Sequence, residues 1–216
     1  MLYGLRKVIL ASSSPRRIEM MEEHNTDHTV MPADVDENIP MDMSLESTVM
    51  FLALKKAMRV AELIETEDQT NNNNNSDASP DDASRCLSAG VITAADTVVY
   101  KDGIMGKPAD REEVISMLSS LRNTDHIVAT GVAMICPDTG KKVLFCEKTR
   151  VWFGDYSNEE LSEYADTDEP YDKAGAYAIQ GTFGRYVDHI DGDLDNVIGF
   201  PYSRFEEMMK RFSEEG

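Results

Sequence analysis

The amino-acid sequence predicts a mixed α/β fold, a twisted sheet with flanking helices, and three observations carry that expectation. Apolar residues recur at helical spacing between Ser44 and Glu65. The β-branched run from Val91 to Tyr100 is long enough for an interior strand. Turn signals at Asp102-Gly103 and at Pro137-Asp138-Thr139-Gly140 join strands as hairpins, unlike a strict βαβ repeat.

Taken in order, Lys7 to Ser12 reads as a strand. Ser14 suits an N-cap and Pro15 the first helical position, so a helix runs from there to about Glu23. A short strand near His28 to Met31 leads to the acidic turn Asp34-Val35-Asp36-Glu37. The long helix from Ser44 carries its stripe through Val49, Leu52, Ala53, Ala57, Val60, Leu63 and Ile64. From Thr66 to Ser84 the pattern stops, in a run of five asparagines with Ser, Asp and Pro. That stretch is too polar to bury a core. It reads as a disordered insertion at about 66–84 within one domain spanning 1–216, since loop closure grows costlier only slowly with length. Asp110 with Glu113 resembles a capping box for a helix to Leu121. Strands near Ile127–Ile135 and Lys142–Phe153 follow, and Ser157 with Glu160 caps another helix. A glycine-rich stretch, a strand near Tyr186–Ile190 and a helix from Pro201 complete the chain.

Composition narrows the class. The 216 residues are 41% hydrophobic and 28% charged, as in folded globular proteins. No apolar run is long enough to cross a bilayer, and the amino terminus lacks a signal peptide's apolar region, so a cytoplasmic protein is expected. Cys86, Cys136 and Cys146 form no CxxC pair, which fits a reducing compartment. His24 and His28 have zinc-like spacing, but Asn25 and Asp27 between them favour a loop. A net charge of −19 disfavours nucleic acid and anionic membranes as partners. It leaves a small anionic ligand open, because charges beyond about 8 Å are screened in physiological salt.

Four positions contradict their elements. Helix first turns favour acids, yet Arg16 and Arg17 occupy one here, behind three serines. Amide N–H groups, hydroxyls and guanidinium forks together would bind an anion; a capped helix with solvated arginines, or a Ser-Pro phosphorylation site, is the alternative. Lys56 lies on the apolar stripe of its helix, either snorkelling to water or facing phosphate in a cleft. Asp96 interrupts an interior strand, where a carboxylate must be hydrogen-bonded, paired or metal-bound, and the residues leave structural and catalytic roles open. Lys107, between Gly106 and Pro108, is a loop lysine for which solvation is the simplest account.

In order along the chain, these segments resemble the Maf family. Leu10-Ala11-Ser12-Ser13-Ser14-Pro15-Arg16-Arg17 looks like its opening signature, followed by Val35-Asp36-Glu37, Leu54-Lys55-Lys56-Ala57, Ala95-Asp96-Thr97-Val98-Val99 and Gly106-Lys107-Pro108. The most distinctive block is Lys173-Ala174-Gly175-Ala176-Tyr177-Ala178-Ile179-Gln180-Gly181, and Asn196-Val197-Ile198-Gly199-Phe200-Pro201 closes the set. The likeness spans the chain except the asparagine-rich insertion. It implies two lobes around a cleft, in a fold related to the inosine triphosphate pyrophosphatases. It implies a nucleoside triphosphate pyrophosphatase in which Asp96 accepts the proton of a water attacking the α-phosphorus. Ser12, Arg17, Lys56 and Lys107 would bind the triphosphate, and Glu37 with Asp96 would hold a divalent cation, magnesium by expectation.

The family divides by base preference. The branch resembled here acts on dTTP and UTP and carries Arg, Thr and Gln at the positions of Arg16, Thr97 and Gln180. A glutamine amide offers a donor and an acceptor to a uracil or thymine edge. Two departures are small: Ala95 stands where glycine is frequent, and Phe200 where leucine is usual. Two other readings stay open, a pyrophosphatase for methylated or otherwise modified nucleotides and a nucleotide-binding regulator of cell division without required turnover. A homodimer is left open as well.

Overall fold

The computed structural model describes residues 7–39, 41–74 and 90–214. A seven-stranded mixed sheet organises them. The central strand β3 (Val91–Tyr100) pairs antiparallel along one edge with β5 (Asp125–Ile135), which continues to β6 (Lys142–Phe153) and β7 (Val187–Asp191). The other edge of β3 is shared. β1 (Val8–Leu10) runs parallel to its first three residues and then pairs with β2 (His28–Val30), while β4 (Ile104–Met105) pairs with Val99 and Tyr100. Between those two partners, Ala94 to Val98 have no neighbouring strand on that edge among the described residues.

Helices cover both faces. On one, α2 (Leu45–Asn74) packs Ala53, Ala57, Val60 and Ile64 against Ile92, Ala94 and Ala133. On the other, α1 (Pro15–Glu23) and the closing helix α6 (Tyr202–Glu214) enclose a core of Met20, Met21, Phe205 and Met209 against Leu10, Ala95 and Met134. A third core lies at the far end of β3, β5 and β6, where α3 (Arg111–Leu121) and α4 (Asn158–Ala165) bury Leu118, Leu121 and Leu161 with Phe153, Tyr177 and Phe183. The cleft opens where this core meets the other two.

Local chemistry sets the boundaries. Ser157 and Glu160 form the complete reciprocal capping box of α4. At α3, Asp110 accepts from the Glu113 amide at 2.9 Å, while the Glu113 carboxylate reaches back to the Ala109 amide rather than to Asp110. Ser14 is the N-cap of α1 by position, but its hydroxyl makes no capping bond. His24 and His28 separate: His24 stacks on Tyr202 and His28 begins β2.

One boundary departs from expectation. α2 does not end near Glu65 but continues to Asn74, into the polar segment. A nucleated helix propagates at little cost, and each asparagine is only about 0.7 kcal/mol worse than alanine. The remainder of the expected insertion, 75–84, lies outside the described residues, as does Cys86. Among the described residues no helix is long and apolar enough to cross a membrane.

Candidate active site

The interrupted edge of β3 creates the site. Successive side chains of a strand face opposite sides. Asp96 is therefore in phase with Ala94 and faces α2, while Thr97 is in phase with Ala95 and faces α1. These two adjacent residues thus reach the same opening from both sides of the sheet.

On the α2 side, Lys56 Nζ lies 2.5 Å from Asp96 Oδ1 and 2.8 Å from Glu37 Oε1. Asp96 is 7% exposed, so its charge is bearable only because it is paired. The Lys56 hydrogen bond holds the Glu37 carboxyl below its usual range against the opposing effect of burial, and the charges of Lys56, Lys107 and Arg17 add to it. Glu37 sits on the irregular segment between β2 and α2, which Lys55 anchors by donating to the Asp36 carbonyl. The register that brings Lys56 over Asp96 depends on Gly131, the β5 residue opposite Asp96. A Cβ at Gly131 would lie 2.3 Å from the Val49 carbonyl carbon and oxygen, so only glycine lets α2 sit this close.

Two carboxylates converging on one cation also make a donor set that fits magnesium, which takes one or two carboxylates and completes its shell with water and phosphate oxygens. Among the described residues no group of three or more His, Cys, Asp or Glu is arranged to hold a metal.

On the α1 side, Arg17 is half-buried and its fork is engaged by the protein. Nε donates to the Gly199 carbonyl at 2.9 Å, Nη1 to the Ala95 carbonyl at 2.8 Å and to Ser12 Oγ at 3.3 Å, and Nη2 to Thr97 Oγ1 at 3.1 Å. The Ala95 carbonyl is the acceptor that a missing strand would otherwise have satisfied. Of the five N–H groups of a guanidinium, one on Nη2 remains for a ligand. Burial lowers the Arg17 pKa, and the charges of Asp96 and Glu37 oppose that shift.

The network continues inward. The hydroxyls of Thr97 and Thr130 share a hydrogen bond of 2.9 Å, and Asn196 donates to Thr149 and to the Val128 carbonyl. Asn196 belongs to a one-turn helix, α5 (Leu194–Ile198), ended by Gly199 at φ 131°, a conformation that favours glycine. This accounts for the closing block of the resemblance: it presents the Gly199 carbonyl to Arg17.

The cleft measures about 870 Å³. Its walls include Ser12, Arg16, Arg17, Glu37, Lys56, Asp96, Thr97 and Lys107, so eight of the nine expected site residues come together. Gln180 does not line it. It is exposed on the loop that leaves the cleft at Ile179. Arg16 is near enough to the opposite wall to act electrostatically on Asp172. Three residues of that wall had not been singled out: Asp172, Lys173 and Tyr177. Tyr177 is held from behind by His126, with Nε2 2.7 Å from the tyrosine hydroxyl. The signal that could have found Lys173 is its position at the head of the most distinctive block.

Fold and cleft define the class: an α/β protein with a basic cleft cut into the open edge of its central strand. The chain belongs to the Maf-like protein family, whose profile matches residues 7–212. It is 40% identical over 207 residues to the dTTP/UTP pyrophosphatase of a Geobacillus species, covering 96% of this chain and 98% of that one. It is 40% identical over 210 residues to the dTTP/UTP pyrophosphatase of Bacillus anthracis, covering 97% of each. The protein of the same name from Caldanaerobacter subterraneus subsp. tengcongensis is 39% identical over 209 residues, 96% of this chain and 90% of that one. Among solved structures, the Staphylococcus aureus Ham1 protein aligns with TM-score 0.48 and 13% identity over 97% of this chain and all of that one. A nucleoside-triphosphatase (dITP/XTP pyrophosphatase) from Mycobacterium abscessus aligns with TM-score 0.42 and 10% identity, over 95% and 97%.

Proposed function

We propose that this protein hydrolyses dTTP and UTP to the monophosphate and pyrophosphate, the activity named for its relatives. The observation that carries the reading is the Glu37–Lys56–Asp96 cluster on the wall of a basic cleft. A nucleotide-binding protein without turnover has no need of a carboxylate beside the phosphates. A carboxylate capped by a lysine is a base in reserve: when phosphate oxygens draw the Lys56 ammonium, Asp96 is released to accept a proton.

In this reading Asp96 takes a proton from water as its oxygen bonds to the α-phosphorus. The bond from that phosphorus to the oxygen bridging the β-phosphate breaks, and pyrophosphate leaves with the electron pair. Ser12, Arg16, Lys56 and Lys107 hold the phosphates. Arg17 contributes its field, one free N–H and the positions of Ser12 and Thr97. Glu37 and Asp96 would hold magnesium, which when bound neutralises charge on the phosphate oxygens. Gln180, outside the cleft wall, reads the base only if the nucleoside end extends toward the Ile179 loop.

Product analysis tests this directly. dTTP should yield dTMP and pyrophosphate in equal amounts, and dTDP with orthophosphate would refute cleavage between the α and β phosphates. Asp96→Asn should lose nearly all turnover while still binding nucleotide. Turnover close to that of the unaltered protein would reduce Asp96 to a structural carboxylate.

A further inference from the structure

Five cations and three carboxylates line the cleft, and they are not equally available to a polyanion. Arg17 is committed to protein acceptors, and Lys56 is held between two carboxylates. Lys173 differs from both. Its side chain is only 18% exposed, while its ion-pair partner among the described residues, Asp172, is 70% exposed. An exposed carboxylate gives up a salt bridge at little cost, because water takes the lysine's place. Burial pushes the Asp172 carboxyl up, but its hydrogen bond to Lys173 and the charges of Lys173 and Arg16 outweigh that and hold it below the usual range.

The backbone that carries Lys173 is fixed. The Lys173 amide donates to the Pro170 carbonyl and its own carbonyl accepts from Ala176. The Gly175 amide donates to the Gly106 carbonyl at 3.0 Å, which ties this loop to the residue preceding Lys107. Two lysines are thus presented by loops bonded to one another, on the same wall.

We propose that Lys173 is a further substrate-binding residue that grips the leaving pyrophosphate together with Lys107, and that Asp172 is its counter-ion only until phosphate displaces it. The proposal rests on the pyrophosphatase reading for its substrate. Negative charge accumulates on the pyrophosphate as it departs, and a cation already desolvated at that point stabilises it without reorganisation.

Inorganic pyrophosphate is the probe, titrated calorimetrically and used as a product inhibitor of dTTP hydrolysis, with dTMP inhibition alongside. Lys173→Met should weaken pyrophosphate binding about tenfold or more, the cost of a lost charged hydrogen bond, and leave dTMP inhibition within about twofold. Lys173→Arg should restore most of the loss. Asp172→Asn should tighten pyrophosphate binding, because the competitor is gone. Pyrophosphate binding unchanged in Lys173→Met, or weakened in step with dTMP, would overturn the proposal, as would weaker binding in Asp172→Asn. Should Lys173→Met fail to fold, Asp172→Asn decides alone: tighter binding supports the proposal and unchanged or weaker binding overturns it. An unaltered protein that does not hydrolyse dTTP sinks the functional reading, yet the calorimetric titrations still read Lys173. Normal turnover with an unaffected Lys173→Met sinks the lysine assignment alone.

Discussion

Arg17→Lys separates two roles that the same charge could serve. If Arg17 acts chiefly as a phosphate ligand, lysine preserves the charge and the fold. If it acts as the bridge described above, lysine cannot replace it, because one ammonium cannot span acceptors on three different segments. Arg17 reaches Gly199 after α5, Ala95 on the open edge of β3, and Ser12 and Thr97 beside it. A lysine would satisfy one or two of the four. Ser12 keeps the Ser14 amide, the Gly199 carbonyl keeps the Thr97 hydroxyl, and Thr97 keeps its bond to Thr130, so the Ala95 carbonyl is the acceptor that depends on Arg17. Leaving that carbonyl without a donor costs about 1–3 kcal/mol, a sizeable share of the stability of an ordinary domain. At this chain length that is a melting temperature lower by roughly 3–10 °C. Calorimetric melting gives the first readout and steady-state kinetics on dTTP the second, where kcat should fall as well as KM rise because Thr97 and Ser12 lose their positions. A variant that melts like the unaltered protein and shows only a raised KM would refute the bridging role and restore Arg17 to the phosphates.

Three further outcomes are expected. Gly131→Ala places a Cβ 2.3 Å from the Val49 backbone, a clash that no side-chain rotation relieves, so it should cost about 1–3 kcal/mol and lower turnover by moving Lys56 off Asp96; unchanged melting would mean α2 is free to shift. Burial lowers the His126 pKa from 6.5 to about 4, with a smaller lowering from Lys101 and an opposing effect of Asp125, so between those values the unfolded chain binds the proton and the folded one does not. Stability should therefore fall as pH drops from 6.5 to 4, by about 3 kcal/mol in all, and His126→Phe should flatten that part of the pH–stability curve; an identical slope in the variant would exclude His126 as its source. If the nucleoside end reaches the Ile179 loop, Gln180→Glu should lower efficiency on dTTP and UTP together by about tenfold and spare purine triphosphates, since a carboxylate can only accept; no change, or a uniform change across four nucleotides, would remove Gln180 from base reading.

The parts legible in the sequence are those where a residue type carries its own local reason. Ser14-Pro15 marks the start of α1, Ser157 with Glu160 that of α4, and the run from Val91 to Tyr100 spans β3 end to end. Asp96, Lys56 and the two arginines stood out because each breaks the rule of its element. α5 and the short 3₁₀ turns at Glu169–Asp172, Ala174–Ala176 and Thr182–Tyr186 were not legible, since pieces of three to five residues have no period to detect.

What stayed hidden in the site has one physical cause: compensation by backbone. An arginine drawn into a cleft announces a cost through its residue type, but two of the groups that repay it are main-chain carbonyls, 78 and 182 residues away, and carbonyls look alike in every sequence. Arg17 therefore reads as a free fork when it is nearly saturated. Lys173 shows the converse. Nothing in its residue type or in the adjacent Asp172 marks it, and only the unequal burial of the two partners separates a cation kept in the cleft from a carboxylate left outside. Cationic residue types thus locate a phosphate site, while the acceptors already holding each cation decide which of them a phosphate can claim. By that criterion the first claims fall on Lys107, Arg16 and Lys173, and Lys56 follows only as Asp96 is freed for chemistry.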